Sequence, residues 1–289
     1  MVSAAKSLLG VLPPPTSAAD EIDGGRRLSA VRKPETVRIR VGCAGWSIPA
    51  RHRDLFGDGE STLARYATTF STVEINSSFY RPHQARTYAR WARSVPEDFR
   101  FSVKMPRAIS HERRLRNADA LLDRFLDEAG ALGDRLGGFL LQLPPSLALD
   151  ADDADAFFRA YRQHSGAPLA CEPRHPSWFT SSADALLAEH GVSRVAADPP
   201  RAVIGAVPGG DPRWRYWRWH GSPDIYHSDY PLPRLRVLAT AIADAGAVRE
   251  ASVIFDNTAR GHAIPNALRL QQLLATATAT AAAASHGDA

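Results

Sequence analysis

The chain predicts a single (β/α)8 barrel of the α/β class, on three observations. Eight short apolar runs lie between Val37 and Asn257, each ends in a polar or ionisable residue, and amphipathic helical spacings separate them. The runs are VRIRVGCAGW, STVEINSSFY, FRFSVKM, GGFLLQL, PLACEPRH, SRVAADPP, RYWRWHG and ASVIFDN. Strand and helix alternation of this kind produces parallel pairing through right-handed crossovers. In such a barrel the active site sits at the carboxyl ends of the strands.

Alternate side chains of a strand point to opposite faces. Glu74 therefore shares a face with Asn76, Ser102 with Lys104, Glu172 with Arg174, and Arg218 with His220. The intervening Val73, Ile75, Val103, Cys171 and Trp219 then face the covering helices. Charged groups are rarely buried without partners, so a repeated polar inner face at strand ends implies one shared pocket.

The helical stripes follow the same order. Leu63, Tyr66, Ala67 and Phe70 keep i, i+3, i+4, i+7 spacing, as do Leu122, Phe125, Leu126 and Ala129. Tyr88, Trp91 and Val95, then Phe157, Phe158 and Tyr161, then Leu235, Leu238, Ala241 and Ile242 mark further helices. One unit breaks the pattern: between Asp198 and Tyr216 the stretch PPRAVIGAVPGGDPRWR carries Pro and Gly where a crossover helix belongs. The helix between strands six and seven is therefore expected to be reduced or missing. GCAGWS offers two glycines three apart and then Trp46, which argues against a dinucleotide-binding turn.

Composition bounds the organisation. The 289 residues suit one barrel with extensions, and 44% hydrophobic with 23% charged content is ordinary for a soluble globular protein. Residues 1–36 read as a flexible N-terminal tail, 37–275 as the barrel domain and 276–289, of low complexity, as a disordered C-terminal tail. No apolar run approaches the roughly 18 residues of a membrane span, and the N-terminus has too short an apolar core for a secretory signal. A cytoplasmic protein without membrane partners is expected, with no reading of its oligomeric state. The formal charge is +4 and the pI 9.3, yet arginine is spread along the chain, so nucleic acid is admitted but not favoured as a partner. Cys43 and Cys171 fall in the first and fifth strands, on opposite sides of the barrel, so neither a disulfide nor a thiolate zinc site is expected.

The candidate catalytic residues are Glu74, Glu172, Asp198 and His220, each at or near a strand end. His220 can act as acid or base near neutral pH with little tuning. Arg174 and Arg218 offer planar forks for carboxylate or phosphate. With Lys104 they make three cations at one mouth, which favours a small anionic ligand. Lys104 has three readings: anion anchor, ion-pair partner, or Schiff-base amine. The last needs a depressed pKa, and nearby carboxylates push the other way, so anchor or ion pair is favoured. Asn76, Gln142, His175, Asp256 and Asn257 complete the substrate-binding candidates, and Asn257, His262 and Asn266 follow the eighth strand, where barrels often hold phosphate. No organic cofactor is predicted. A divalent metal held by Glu172, Asp198, His220 and Asp256 is the sharpest rival, without H-x-H or H-E-x-x-H spacing to support it. The same residues would also serve as a buried ion-pair network that only closes the barrel.

Several long segments together resemble the YecE-like family, the domain of unknown function 72. They are GCAGWS at 42–47, YATTFSTVEINSSFYR at 66–81, FRFSVKMPRAISH at 99–111, LGGFLLQLPPS at 136–146, CEPRHPSW at 171–178, Asp198-Pro199, YWRWHG at 216–221 and FDNTARGHAIPNA at 255–267. The resemblance covers residues 37 to 275. It implies a TIM-type barrel with a polar cluster at its mouth and no particular activity. Asp256 stands where members of that family often carry asparagine and adds a negative charge to the pocket.

Overall fold

The computed structural model describes residues 38–244 and 250–286. The expected N-terminal tail, 1–36, lies outside the described residues. All eight apolar runs form strands, and the sixth is broken in two. In chain order they are β1 (Arg38–Ala44), β2 (Thr72–Ile75), β3 (Arg100–Lys104), β4 (Leu136–Gln142), β5 (Leu169–Glu172), β6 (Val192–Arg194), β7 (Ala196–Asp198), a two-residue β8 (Gly209–Gly210), β9 (Trp214–Trp219) and β10 (Glu250–Phe255). They run β7-β9-β10-β1-β2-β3-β4-β5-β6-β8, all parallel except β8 against β6. β6 and β7 are halves of one strand: Val195 between them donates its N–H to Cys171 of β5 at 2.8 Å, while Asp198 of β7 is in register with Trp219 of β9. That shared strand closes an eight-membered ring.

Helices α1 (Thr62–Tyr66), α2 (Ala85–Arg93), α3 (Asp119–Gly130), α4 (Ala151–His164), α5 (Ser181–Glu189), α6 (Leu232–Ala243) and α7 (Ala263–His286) cover the sheet. α1 stops at Tyr66, so Ala67 and Phe70 of the predicted stripe sit in the turn that follows. Between β7 and β9 only a 3₁₀ turn (Val203–Ala206) and β8 occur, matching the missing crossover helix. α7 runs on through residues 276–286 of the expected C-terminal tail, whose alanines have the highest helix propensity. No described helix is long and apolar enough to cross a membrane.

The alternation splits the core in two. Outward residues such as Val73, Val103, Leu141, Trp217 and Val253 pack under the helices with both cysteines, which are unpaired. Burial pushes the Cys43 thiol up to about 12, so it is an inert core group. A smaller inner cluster of Leu140, Ala170, Val195, Trp214, Tyr216 and Ile254 fills the barrel. Trp214 occupies its lower end, with Nε1 donating to Ser252 Oγ at 3.0 Å. The ring fits because residue 138 is glycine. At φ +153° its Cβ would lie 2.8 Å from the Trp214 ring and 2.7 Å from the Pro168 carbonyl. Trp214 thus plugs the barrel between the ionic layer above and a cavity of about 460 Å³ below, lined by Pro168, Ser193, Arg213 and Glu250.

Gly138→Ala should therefore destabilise the barrel by roughly 2–4 kcal/mol, combining overpacking with backbone strain. Urea unfolding midpoints check this; an unchanged midpoint would show that Trp214 moves aside freely.

Candidate functional site

Above Tyr216 the lumen turns from apolar to ionic. Arg218 of β9 is fully buried, and its guanidinium touches three carboxylates, Glu74 of β2, Glu172 of β5 and Asp256 just after β10. Its Nε donates to Glu74 Oε2 at 3.0 Å and its Nη2 to Glu74 Oε1 at 2.9 Å. Nη1 donates to Glu172 Oε2 at 3.1 Å, and Nη2 lies 2.9 Å from Asp256 Oδ2. Glu74 is held from below by the Tyr216 hydroxyl at 2.9 Å, which also contacts Ser102 Oγ at 2.9 Å. Tyr216 is a site residue that the sequence reading missed; its spacing of two from Arg218 placed it on the same inner face.

His220 sits at the top of this array. Its Nδ1 is 3.0 Å from Asp256 Oδ2 and its Nε2 is 3.0 Å from Glu172 Oε1. An ionised carboxylate only accepts, so with Glu172 and Asp256 both ionised this geometry suits the imidazolium form of the ring. Burial opposes that charge, but the Glu172 carboxylate and the Asp256 hydrogen bond outweigh burial and the Arg218 charge, and raise the pKa above 6.5. The converse holds for the acids. Burial works against ionising Glu172, yet His220, Arg218 and Arg174 hold its carboxyl well below its ordinary value. Arg218 and His220 likewise overcome burial to lower Asp256. Arg174 adds Nε and Nη2 bonds to Glu172 Oε1 at 3.1 and 3.0 Å from the rim.

Lys104 stands apart. It is 5% exposed, forms no ion pair and no side-chain hydrogen bond among the described residues, and points its Nζ at the Phe79 ring, 4.1 Å from the centroid. The expected ion pair with Glu74 is corrected here, because Arg218 already occupies that carboxylate. The local chain explains the aromatic contact. After β2 a 3₁₀ turn, Ser77–Phe79, brings the Ser78 hydroxyl to the Lys104 carbonyl at 2.6 Å, which pins Phe79 beside the lysine. Burial and then the Arg218 charge push the amine down to about 8, against opposing pulls from Glu74, Glu172 and Asp256. Three carboxylates are matched by Arg174, Arg218 and His220, and Lys104 is the surplus charge.

Three predicted residues lie elsewhere. Val195 faces inward, so Asp198, three positions on, faces out; its carboxylate accepts from Tyr230 Oη at 2.7 Å and pairs with Arg234 at 2.5 Å. Asn257 donates to Ser228 O at 2.9 Å and Asn266 Oδ1 at 2.8 Å, binding a loop to α7. His175 caps a short 3₁₀ turn, its Nδ1 accepting from Ser177 N at 3.2 Å. Gln142 does face inward, in register with Glu172, and makes no side-chain hydrogen bond among the described residues. Asn76 Oδ1, at the top of β2, is buried without a partner. The metal reading also loses a donor with Asp198, both His220 nitrogens are taken by carboxylates, and Arg218 sits among the remaining acids. Among the described residues no His, Cys, Asp and Glu group is arranged to hold a cation.

A cavity of about 10 Å³ borders the cluster, lined by Glu172, Pro173, Arg174, Ala197, Pro199, Arg201, His220 and Ile225. It has room for about one water. Its roof includes the loop from Gly221 to Tyr230. Tyr226 there has φ +71°, donates its N–H to the His220 carbonyl and sets its ring edge-on to the imidazole, 5.9 Å between centroids. A larger ligand enters only if this roof moves.

The sequence model for a protein of unknown function, DUF72, matches residues 40–288. The chain belongs to the DUF72 family. The UPF0759 protein YecE of Escherichia coli K12 is 32% identical over 176 residues, 59% of this chain and 62% of that protein. The UPF0759 protein YunF of Bacillus subtilis 168 is 25% identical over 184 residues, 59% of this chain and 64% of its own length. The chain thus spans less than two thirds of these curated relatives. The crystal structure of a DUF72 protein from Enterococcus faecalis V583 superposes with TM-score 0.68 at 25% identity, covering 83% of this chain and 98% of that one. One from Thermotoga maritima MSB8 gives TM-score 0.68 at 24% identity, covering 82% and 99%, and shows the same fold.

Two stability predictions follow from the charges of this DUF72 barrel. The folded pKa of Lys104 lies below its free value of 10.5, so the unfolded chain binds the extra proton from about 8 to 10.5. Its burial penalty is full below that window and relieved across it. Lys104→Met keeps the stem and leaves the other charges matched, so the variant should be more stable by roughly 1–3 kcal/mol at pH 7. Urea unfolding should show that gap closing between about pH 8 and 10.5; equal or lower stability at pH 7 would restore the ion-pair reading. His220 has the reverse sign, its folded pKa being raised above 6.5. Its stabilisation is present below 6.5 and lost as pH rises through the folded value, an alkaline decline that His220→Asn should abolish.

Proposed function

We propose that this DUF72 barrel is an enzyme performing acid–base chemistry on a small anionic, sugar-like compound, phosphorylated or carboxylated, without an organic cofactor. The observation that carries this reading is the His220 imidazolium clamped between Glu172 and Asp256 beside the cavity. A proton held on a ring whose two nitrogens are already oriented is a ready general acid, and the two carboxylates stabilise its charged form. Glu172 and Asp256, kept ionised, orient the ring and compensate charge; Glu74 and Arg218 hold them in place.

The charge balance supports an anionic substrate. With Lys104 protonated the cluster carries one positive charge in excess, and Arg174 and Arg201 border the same cavity. A carboxylate or phosphate would neutralise that excess through short, charge-assisted bonds. Asn76 Oδ1 and the Gln142 amide are unspent groups suited to hydroxyls. Hydrolysis, isomerisation and elimination all use these elements.

The test is a panel of sugar phosphates and sugar acids, followed by thermal shift and by product analysis. At least one member should raise the Tm and be turned over, with kcat/KM falling as pH rises through the raised His220 pKa. His220→Asn should lose on the order of 10²-fold or more in kcat. A compound that stabilises the protein but is always recovered unchanged would make this a binding barrel, and activity abolished by chelator would favour a metal-dependent phosphodiesterase acting on nucleic acid.

A further inference from the structure

We propose that Lys104 is an amine nucleophile, and that the barrel takes a carbonyl compound bearing an anionic group and joins it to Lys104 Nζ as an imine. This inference rests on the reading of the barrel mouth as a catalytic site and names its substrate class.

Composition supplies the first argument. The chain has three lysines, Lys6, Lys33 and Lys104, against 32 arginines, so Lys104 is the one lysine from residue 38 to the C-terminus. Everywhere else in the barrel a fixed positive charge is supplied by arginine, including Arg218 and Arg174 in the site itself. Arginine grips anions better, through its planar fork, and stays charged when buried. What guanidinium cannot supply is a primary amine that sheds its proton and attacks carbon.

Geometry supplies the second. An anchoring or ion-pairing ammonium would be surrounded by acceptors, yet Lys104 faces the Phe79 ring at 4.1 Å and every carboxylate of the cluster is engaged with Arg218, Arg174 or His220. The ring face attracts the ammonium, yet burial and then the Arg218 charge outweigh it and bring the amine down to about 8. His111 packs against the same Phe79 ring, 5.0 Å between centroids, and burial, then the Lys104 charge, lower its pKa from 6.5.

Charge supplies the third. His111 takes one proton from the ammonium, and the Nζ lone pair adds to the carbonyl carbon while the C=O π pair moves to oxygen. A proton passes from nitrogen to that oxygen to form the carbinolamine. The proton held by His111 then returns to the departing oxygen, the C–O bond breaks, water leaves and the nitrogen lone pair closes the C=N bond. The sum is ammonium plus carbonyl giving iminium plus water. The iminium has the same single positive charge as the ammonium it replaces, so the ionic array around Arg218 needs no rearrangement.

The test treats the full chain with glyoxylate, pyruvate or dihydroxyacetone phosphate in the presence of sodium cyanoborohydride, and reads intact mass and peptide maps. One reduced adduct per chain is expected on Lys104, retained when Lys6 and Lys33 are both changed to arginine and lost in Lys104→Arg and Lys104→Met. At pH 7 labelling should outpace that of an ordinary exposed lysine by roughly 300-fold, the ratio of free-amine fractions for a pKa of about 8 against 10.5. If a probe raises the Tm but leaves Lys104 unlabelled, the imine is overturned and the acid–base site survives. If no probe labels Lys104 and neither the probes nor the sugar panel shifts the Tm, both fall. Equal labelling of Lys6, Lys33 and Lys104 would also overturn the imine, as ordinary amine reactivity.

Discussion

One guanidinium in the lumen of the barrel organises everything above the inner apolar layer. Arg218 has no exposure, and transferring such a charge from water into protein costs several kcal/mol unless its donors are met. They are met by Glu74 from β2, Glu172 from β5 and, just beyond β10, Asp256, so one side chain ties together three parts of the ring. Buried ion pairs seldom add net stability over an apolar core, whereas removing one partner leaves an uncompensated charge costing about 3–5 kcal/mol. The network is thus poor as glue and effective as a jig. It fixes two carboxylates at the spacing that holds the His220 ring from both sides, and the imidazolium follows from their positions.

The period-two alternation made most of this legible beforehand. It puts Glu74, Lys104, Glu172, Arg218 and His220 on one inner face, and the Pro and Gly content of residues 199–213 foretells the missing helix. Partnering was not legible. Whether Glu74 meets Lys104 or Arg218 depends on reach across the lumen, which strand pattern does not encode. Asp198 was assigned to the pocket because it ends an apolar run, but Val195 faces in, so parity sends Asp198 outward to Tyr230 and Arg234. Counting back from a reliable inner residue would have corrected it. The same count from Arg218 would have found Tyr216, whose ring reads as core and whose hydroxyl holds Glu74.

Stability and chemistry pull in opposite directions at residue 104. A methionine or leucine there would fill the space beside Phe79 without burying a charge, so a lysine at this place is a local cost that folding alone does not explain. Sites kept for function are where such costs persist. The matched charges around it sharpen the point. Had Lys104 been needed to neutralise the acids, the cluster would be short of a cation without it; instead it is balanced.

The outward-facing polar residues complete the picture from the other side of the wall. The Tyr230 hydroxyl donates to Asp198 and accepts the Gly221 N–H at 2.8 Å, which ties the two ends of the roof loop together. Asn257 and Asn266 then fasten Ser228 and Tyr230 to α7. Gly221 lies at φ +99°, where a Cβ would press within 3.2 Å of Asn257, so the loop enters through a position that suits glycine. Both stems are therefore fixed, and the segment between them carries Ile225 over the cavity and Tyr226 against His220. Opening the mouth requires Tyr226 to release both the His220 carbonyl and the Ala259 N–H, which its own carbonyl holds at 3.1 Å. A non-glycine residue held at φ +71° stores strain of order 1–3 kcal/mol, which lowers the cost of that release. The barrel thus pairs a charged floor built around Arg218 with a roof that Tyr226 fastens to His220 and Ala259.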